Sequence, residues 1–372
     1  MTALVRDPIP LPARPGGRPP AAGAASLALR PLLDPPRRPA RVIAVFPSAL
    51  YLEMRGGPEP RVLAVVTSDA HRLPNAVVLV ATRREHPFRA VREGGDALVG
   101  DGRVEADGLR VRVRRWWDPS PALGTLQPAA LAAGVRSLEA ALEAALDGAG
   151  MAGGGLAGHP DPVELAAACA AGDLAGAVEA AERIVGLGPG LTPSGDDILC
   201  GLLVSLRLVG GAVRHGRPVH LRGTDAQAHS AHQAVPLRGD DPPHPPVRSA
   251  HDAVPLRGGD PPHPPVRSAH EAVRLADWLG AAVTADAGTR TTALAATLLH
   301  CATAGGAGAE VAAVLRCVAG HEPPDTAVRR LLAVGHTSGT DLAQGVLAGC
   351  RAVLALTAHA SRAGRPAPRV SA

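Results

Sequence analysis

An α+β fold is predicted: a small mostly-β N-terminal part followed by a larger all-helical C-terminal part. Two patterns carry that prediction. Short apolar runs parted by turn residues fill positions 41–117, and helical apolar spacing takes over after Pro119. Composition agrees. Aromatic residues are only 2% of the 372 residues, so the core is built mainly from Ala, Val and Leu. Side chains of that size favour helices whose backbones approach closely.

Taken in order, residues 1–40 are rich in Pro, Arg and Ala without a period, and are expected to be a disordered arm. Residues 41–120 form the β-rich part. Its runs are RVIAVFPSALYLEM (41–54), RVLAVVTS (61–68), NAVVLVAT (75–82) and ALVGDGRVEADGLRVRVRRWW (97–117). The pair Gly56-Gly57 and the Asp-Gly pairs at 101–102 and 107–108 mark tight turns. Alternation through Leu109-Arg-Val-Arg-Val-Arg114 indicates a half-buried strand with its arginines on the wet face. Residues 121–372 form the helical part. Helices are predicted at 130–148, 161–188, 197–209, 270–284, 290–304, 308–319, 325–334 and 340–360, with Asp161-Pro162 as a start signal.

One segment interrupts this part. SAHQAVPLRGDDPPHPPVR (230–248) is repeated nearly verbatim at 249–267, and SAHEAV begins a third copy. A 19-residue period carrying PPHPP cannot be a continuous helix. Residues 230–269 are therefore read as an exposed tandem-repeat insert whose histidines the prolines hold apart.

All 38 basic residues are arginine. Without lysine there is no Schiff base and no Walker-type phosphate loop. A net charge of +4 with no arginine block and few aromatics argues against nucleic acid as a partner. No apolar run has the pattern of a signal peptide or the length of a membrane span. The cysteines Cys169, Cys200, Cys301, Cys317 and Cys350 form no CxxC pair and fit small packing residues. The expectation is a cytoplasmic protein with no cofactor and no dedicated metal.

The passage that carries chemistry is GLGPGLTPSGDDILCGLL (186–203). Its plainest reading is a helix start, because Ser194-Gly-Asp-Asp197 fits a capping box with Ser194 as N-cap. Capping alone does not require Gly188, Gly190, Thr192 and Gly195 as well. The pattern also returns near the C-terminus in GHTSGTDLAQGVLAG (335–349). Aligned on Ser194 and Ser338, both segments read S-G-x-D-x-x-x-G, ending in Gly201 and Gly345 inside their helices. A mid-helix glycine is unfavourable by about 1 kcal/mol relative to Ala, so equal offsets suggest two helices crossing at close range. Their N-termini would then share one space suited to an anion. Asp196, Asp197 and Asp341 nearby could instead act as bases or recruit a divalent cation. A third stretch, GTRTT (288–292), places Arg290 among hydroxyls, where its fork could meet a carboxylate or phosphate.

These three stretches together, with TRTTALAATLLHCATAGG (289–306), resemble the AllH family, which includes a subunit of oxamate carbamoyltransferase in allantoin catabolism. VFPSALYLE (45–53) and Trp117-Asp-Pro119 add a fainter similarity. The resemblance spans about residues 41–360 apart from the repeats. It implies a subunit of an enzyme that moves a carbamoyl group between oxamate and phosphate, working with subunits of the AllF and AllG types. On that reading Gly188–Gly195 and Ser338-Gly339 would bind phosphate or carboxylate, with Thr192, Ser194 and Thr337 as hydroxyl donors and Arg290 as countercharge. His336 is the candidate general acid–base. Two other readings stand beside it: a binding module that senses an anionic metabolite without turnover, and a metal-dependent enzyme using the aspartates.

Overall fold

The computed structural model describes residues 19–57, 59–149, 154–213 and 267–363. The repeat insert and the first 18 residues of the expected arm lie outside them, except that the end of the insert begins a helix.

Residues 21–40, expected as part of a disordered arm, carry regular structure. Strand β1 (Ala21–Ser26) is followed by a 3-10 turn and the short helix α1 (Arg30–Leu33). Then come β2 (Arg38–Val45), β3 (Ala49–Met54), β4 (Val62–Val66), β5 (Ala76–Leu79), β6 (Asp96–Gly100), β7 (Arg103–Ala106) and β8 (Leu109–Trp117). The eight strands close a barrel in the order β1-β5-β4-β3-β2-β6-β7-β8. Strand β1 completes the ring, pairing antiparallel with β5 and parallel with β8. It is alanine-rich because it is crowded: a Cβ on Gly23 would lie 2.8 Å from Val77 Cγ1 and 3.0 Å from Val111 Cγ1.

The β-like run over 41–54 is a hairpin, turned at Phe46–Ser48 and paired Val45 to Leu50. The Asp-Gly turns are as expected. Asp101, Gly102, Asp107 and Gly108 all have positive φ, the backbone twist a two-residue hairpin needs. Strand β8 buries Leu109 and Val111 and exposes Arg110, Arg112 and Arg114. Leu50, Leu52, Leu63, Val65, Val77, Val99 and Val111 fill the barrel interior.

The helices are α2 (Pro128–Ala149), α3 (Pro160–Ala171), α4 (Leu174–Ile184), α5 (Ser194–Ala212), α6 (Arg267–Thr284), α7 (Ala287–Arg290), α8 (Ala293–Thr303), α9 (Ala309–Val318), α10 (Pro324–Leu332) and α11 (Ser338–Ala363). The segment predicted as one helix over 161–188 divides at Gly172, whose φ of 73° ends α3, and at Asp173, which caps α4 through Gly176 N. Helix α3 starts one residue earlier than expected, at Pro160, and Asp161 instead accepts a 2.6 Å hydrogen bond from Arg183. All five cysteines are buried and unpaired, each on a different helix. Over Ser338–His359, α11 is long and apolar enough to cross a membrane. Its apolar side, including Val346, Cys350, Val353 and Leu356, lies instead in the helical core with Leu199, Leu202 and Leu206 of α5.

Barrel and helices meet along β4 and the loop before β5. Thr297 of α8 accepts a 3.1 Å bond from Val62 N and donates to Glu59 Oε2 at 3.1 Å. Asn75 Nδ2 donates to Val62 O, and the amides of Ala307 and Ala309 donate to Pro119 O and Arg72 O. The β-rich part thereby supplies one wall of the space described next.

Candidate functional site

The two glycine turns meet. Helices α5 and α11 cross at the glycines that the repeated pattern singles out. A Cβ on Gly201 would stand 2.4 Å from Leu342 O, and one on Gly345 2.0 Å from Ile198 O, so neither position admits a side chain while the backbones touch. The correspondence continues to the second residue of each pattern. A Cβ on Gly195 would lie 1.8 Å from Ile184 O in the preceding α4, and one on Gly339 would lie 2.1 Å from Leu331 O in the preceding α10. Each S-G-x-D helix is thus seated on the end of the helix before it, and the two units face each other.

Across that contact the serines and aspartates exchange partners. Ser194 hydrogen-bonds Asp341, and Ser338 hydrogen-bonds Asp197. Thr192 also bonds Asp197 and lies 3.2 Å, oxygen to oxygen, from Ser338. Thr337 bonds Asp341. The capping box is therefore not formed: Pro193 is the N-cap of α5, Ser194 is its first helical residue, and no side chain caps it. The hydroxyl reaches across to the other helix instead.

Burial raises all three aspartates above the usual carboxylate range. For Asp197 it outweighs the Ser338 and Thr192 hydrogen bonds and, with the nearby Asp341 and Asp196, lifts the pKa from 3.8 to about 7. In Asp341 burial prevails over bonds from Ser194, Thr337 and Gly155, and in Asp196 over bonds from Thr291 and Gly186. Asp197 is 4% exposed and Asp341 fully buried.

The two halves differ in what covers them. Over Asp341 lies the Gly154-Gly155 backbone, with Gly155 N donating to Asp341 Oδ1 at 2.9 Å. A Cβ on Gly154 would meet that same oxygen at 2.0 Å, and one on Gly155 would meet Ser194 Oγ at 2.2 Å. Over Asp197 there is a cavity of about 250 Å³. Thr192, Asp197, Cys200 and Ser338 line one side of it, Tyr51, His71, Leu73 and Pro74 of the barrel another. The Oδ2 atoms of Asp197 and Asp341 are both buried without a hydrogen-bond partner, and of the two carboxyls only that of Asp197 lines the cavity.

The other anticipated residues take different places. Asp196 faces away from the cavity, accepting from Gly186 N at 3.0 Å and from Thr291 Oγ1, which ties the glycine loop to the GTRTT stretch. Thr292 caps α8 and donates to Leu191 O at 2.6 Å. Arg290 turns from the site, pairing with Asp286 and donating to Glu182 O. His336 is exposed in its turn and does not line the cavity. Gly188 and Gly190 have φ of 118° and 97°, so this loop needs its glycines for shape.

The helix-start amides are largely engaged as well. Gly195 N donates to Leu187 O, Asp196 N and Asp197 N to Pro193 O, Gly339 N to Val334 O and Asp341 N to Thr337 O. Among the described residues no three His, Cys, Asp or Glu side chains are grouped to hold a metal ion. Residues that sequence reasoning missed are Gly155, Tyr51 and His71. The glycine run at 153–155 was a visible signal; nothing local distinguishes His71 from other loop histidines.

A comparison with protein-family models matches residues 184–233 and 266–350 to AllH, oxamate carbamoyltransferase subunit AllH. The match passes over 234–265, the body of the tandem repeat. No curated protein and no solved structure matches the chain significantly.

Proposed function

We propose, from the match of residues 184–233 and 266–350 to the AllH family model, that this chain acts as a subunit of an oxamate carbamoyltransferase-type enzyme and that the cavity at Asp197 holds the carbamoyl group. In this reading the enzyme moves that group between oxamate and phosphate in purine-nitrogen catabolism. Further subunits of the AllF and AllG types complete the assembly.

The single supporting observation is the buried, unpartnered Oδ2 of Asp197 where the two glycine turns meet. A carbamoyl NH2 carries two donors and a carbonyl acceptor. The carboxylate accepts a donor, and the Thr192 and Ser338 hydroxyls are at hand for the carbonyl oxygen. The equivalent Asp341 already holds an amide in this way, through Gly155 N. No arginine lines the cavity, and most helix-start amides are engaged. The substrate's carboxylate or phosphate therefore points outward, toward charge supplied by a partner subunit, and the glycine loop shapes the site more than it binds the anion.

The test is calorimetry on the reconstituted assembly with carbamoyl phosphate and with inorganic phosphate. Asp197→Asn is expected to weaken carbamoyl phosphate at least tenfold, about 1.4 kcal/mol, and to leave phosphate unchanged. Equal affinities in both proteins would remove Asp197 from the binding site. Tight binding by an assembly that shows no turnover would favour a metabolite-sensing module instead.

A further inference from the structure

We propose that His71 is a catalytic residue of this site, a proton donor and acceptor held in position by Glu310. The proposal rests on the carbamoyl reading of the Asp197 cavity.

His71 lies in the loop between β4 and β5, and Glu310 in the first turn of α9. They form an ion pair between His71 Nδ1 and Glu310 Oε2 across the seam of barrel and helices, with side chains 22% and 21% exposed. Burial pushes the Glu310 carboxyl up, but the His71 hydrogen bond and charge outweigh it and leave Glu310 below its usual range. The carboxylate stays ionised and fixes the ring, leaving Nε2 as the nitrogen able to exchange a proton. That edge of the ring rests on a glycine: a Cβ on Gly308 would lie 3.1 Å from Nε2 and 3.2 Å from Cε1. Both Gly308 and His71 line the cavity that Asp197 lines. The loops carrying the pair are pinned together by Ala309 N donating to Arg72 O at 2.9 Å. Arg72, stacked over Trp117 at 4.7 Å, adds its charge near Glu310, and Tyr51 and Asp197 are the other titratable groups that line the cavity with Cys200.

The chemistry needs such a group. Toward carbamoyl phosphate, a phosphate oxygen bonds to the carbamoyl carbon and the bond from that carbon to the oxamate nitrogen breaks. An amide nitrogen is a poor leaving group as an anion. Protonated His71 delivers a proton to that nitrogen as the electron pair arrives, giving oxamate. The neutral ring then takes the proton that hydrogen phosphate carried into the product. In the reverse direction it accepts the oxamate N–H proton.

An ion pair that only joins barrel to helices would not respond to added imidazole, so rescue discriminates. The full assembly is assayed with oxamate and carbamoyl phosphate for the wild type, His71→Ala and Glu310→Gln. Expected are a fall in kcat of at least about a hundredfold for His71→Ala, with KM changed less than threefold, and at least tenfold recovery in imidazole. Glu310→Gln should lose less and shift the pH–rate profile. Undiminished kcat in His71→Ala overturns the proposal while leaving the carbamoyl reading intact, as does a loss that imidazole fails to restore. An inert wild-type assembly overturns the carbamoyl reading itself, and this proposal with it.

Discussion

Replacing Asp197 by Asn tests the electrostatics of the site without any substrate. The carboxyl titrates near 3.8 when unfolded and at about 7 when folded. Between those values the native state holds a proton that the unfolded chain has released. Stability therefore falls as pH rises through this window, and levels off above about pH 7. Roughly three pH units at about 1.4 kcal/mol each give about 4 kcal/mol lost in full, of which about 3 kcal/mol is lost between pH 4.5 and 8. Asparagine does not titrate, and its own hydrogen bonds to Ser338 and Thr192 add an offset that does not depend on pH. The quantity to measure is thus how the variant-minus-wild-type difference changes with pH. Urea denaturation at pH 4.5, 6 and 8 supplies it, with extrapolation errors of about 10–15%. Asp197→Asn should gain about 3 kcal/mol on the wild type between the extremes. A difference that stays flat across the window would show that Asp197 ionises freely, and the account of the buried acid pair would fail.

Three further outcomes are expected. Gly345→Ala should gain about 1 kcal/mol from helix propensity, but its Cβ would stand 2.0 Å from Ile198 O; a net loss of about 2 kcal/mol from overpacking, seen as a lower Tm, is expected, and a neutral result would mean the helices separate easily. Thr297→Val removes the acceptor from the buried Val62 amide and should destabilise by about 1–3 kcal/mol in thermal unfolding, whereas Thr297→Ser should be nearly silent. Deleting 234–265, the stretch the family match passes over, should shift Tm by no more than about 2 °C, since loop length affects stability only weakly.

What could be read from sequence was what local physics determines. The Asp-Gly hairpins, the alternation of β8 and the division into strands then helices all depend on neighbours within a few residues. Strand β1 escaped because AAGAAS has no β-branched residue and no alternation; its composition answers to Val77 and Val111, which lie far away in the chain. The crossing of α5 and α11 was legible through a repeated offset, a long-range signal that happened to be written twice. The direction of a side chain was not. Ser194 and Asp197 satisfy the capping pattern, yet both turn to the opposite helix. His336 looked better placed than His71 because it neighbours the motif, whereas His71 reaches the cavity only once the barrel has closed and docked against α9.

The arrangement of the acids argues that they are kept for use. A helix crossing at glycines needs only small residues at its contact, and apolar ones would do. Asp197 and Asp341 instead sit within the crossing, 4% and 0% exposed, each raised by burial. The start of α5 does not need them, since no side chain caps that helix. Ionisation there works against folding between about pH 4 and 7. Their crossed hydrogen bonds with Ser338 and Ser194 lessen that penalty without removing it, because Asp197 remains at about 7 after those bonds are counted. Perturbed groups that gather at one place, one of them open to a cavity, and that harm stability are the pattern that catalytic and binding sites leave. The difference between the two halves sharpens the point. Both Oδ2 atoms are buried without a partner, but the Gly154-Gly155 backbone lies over Asp341 and donates to its Oδ1, whereas Asp197 opens on the cavity, where a guest has access to it.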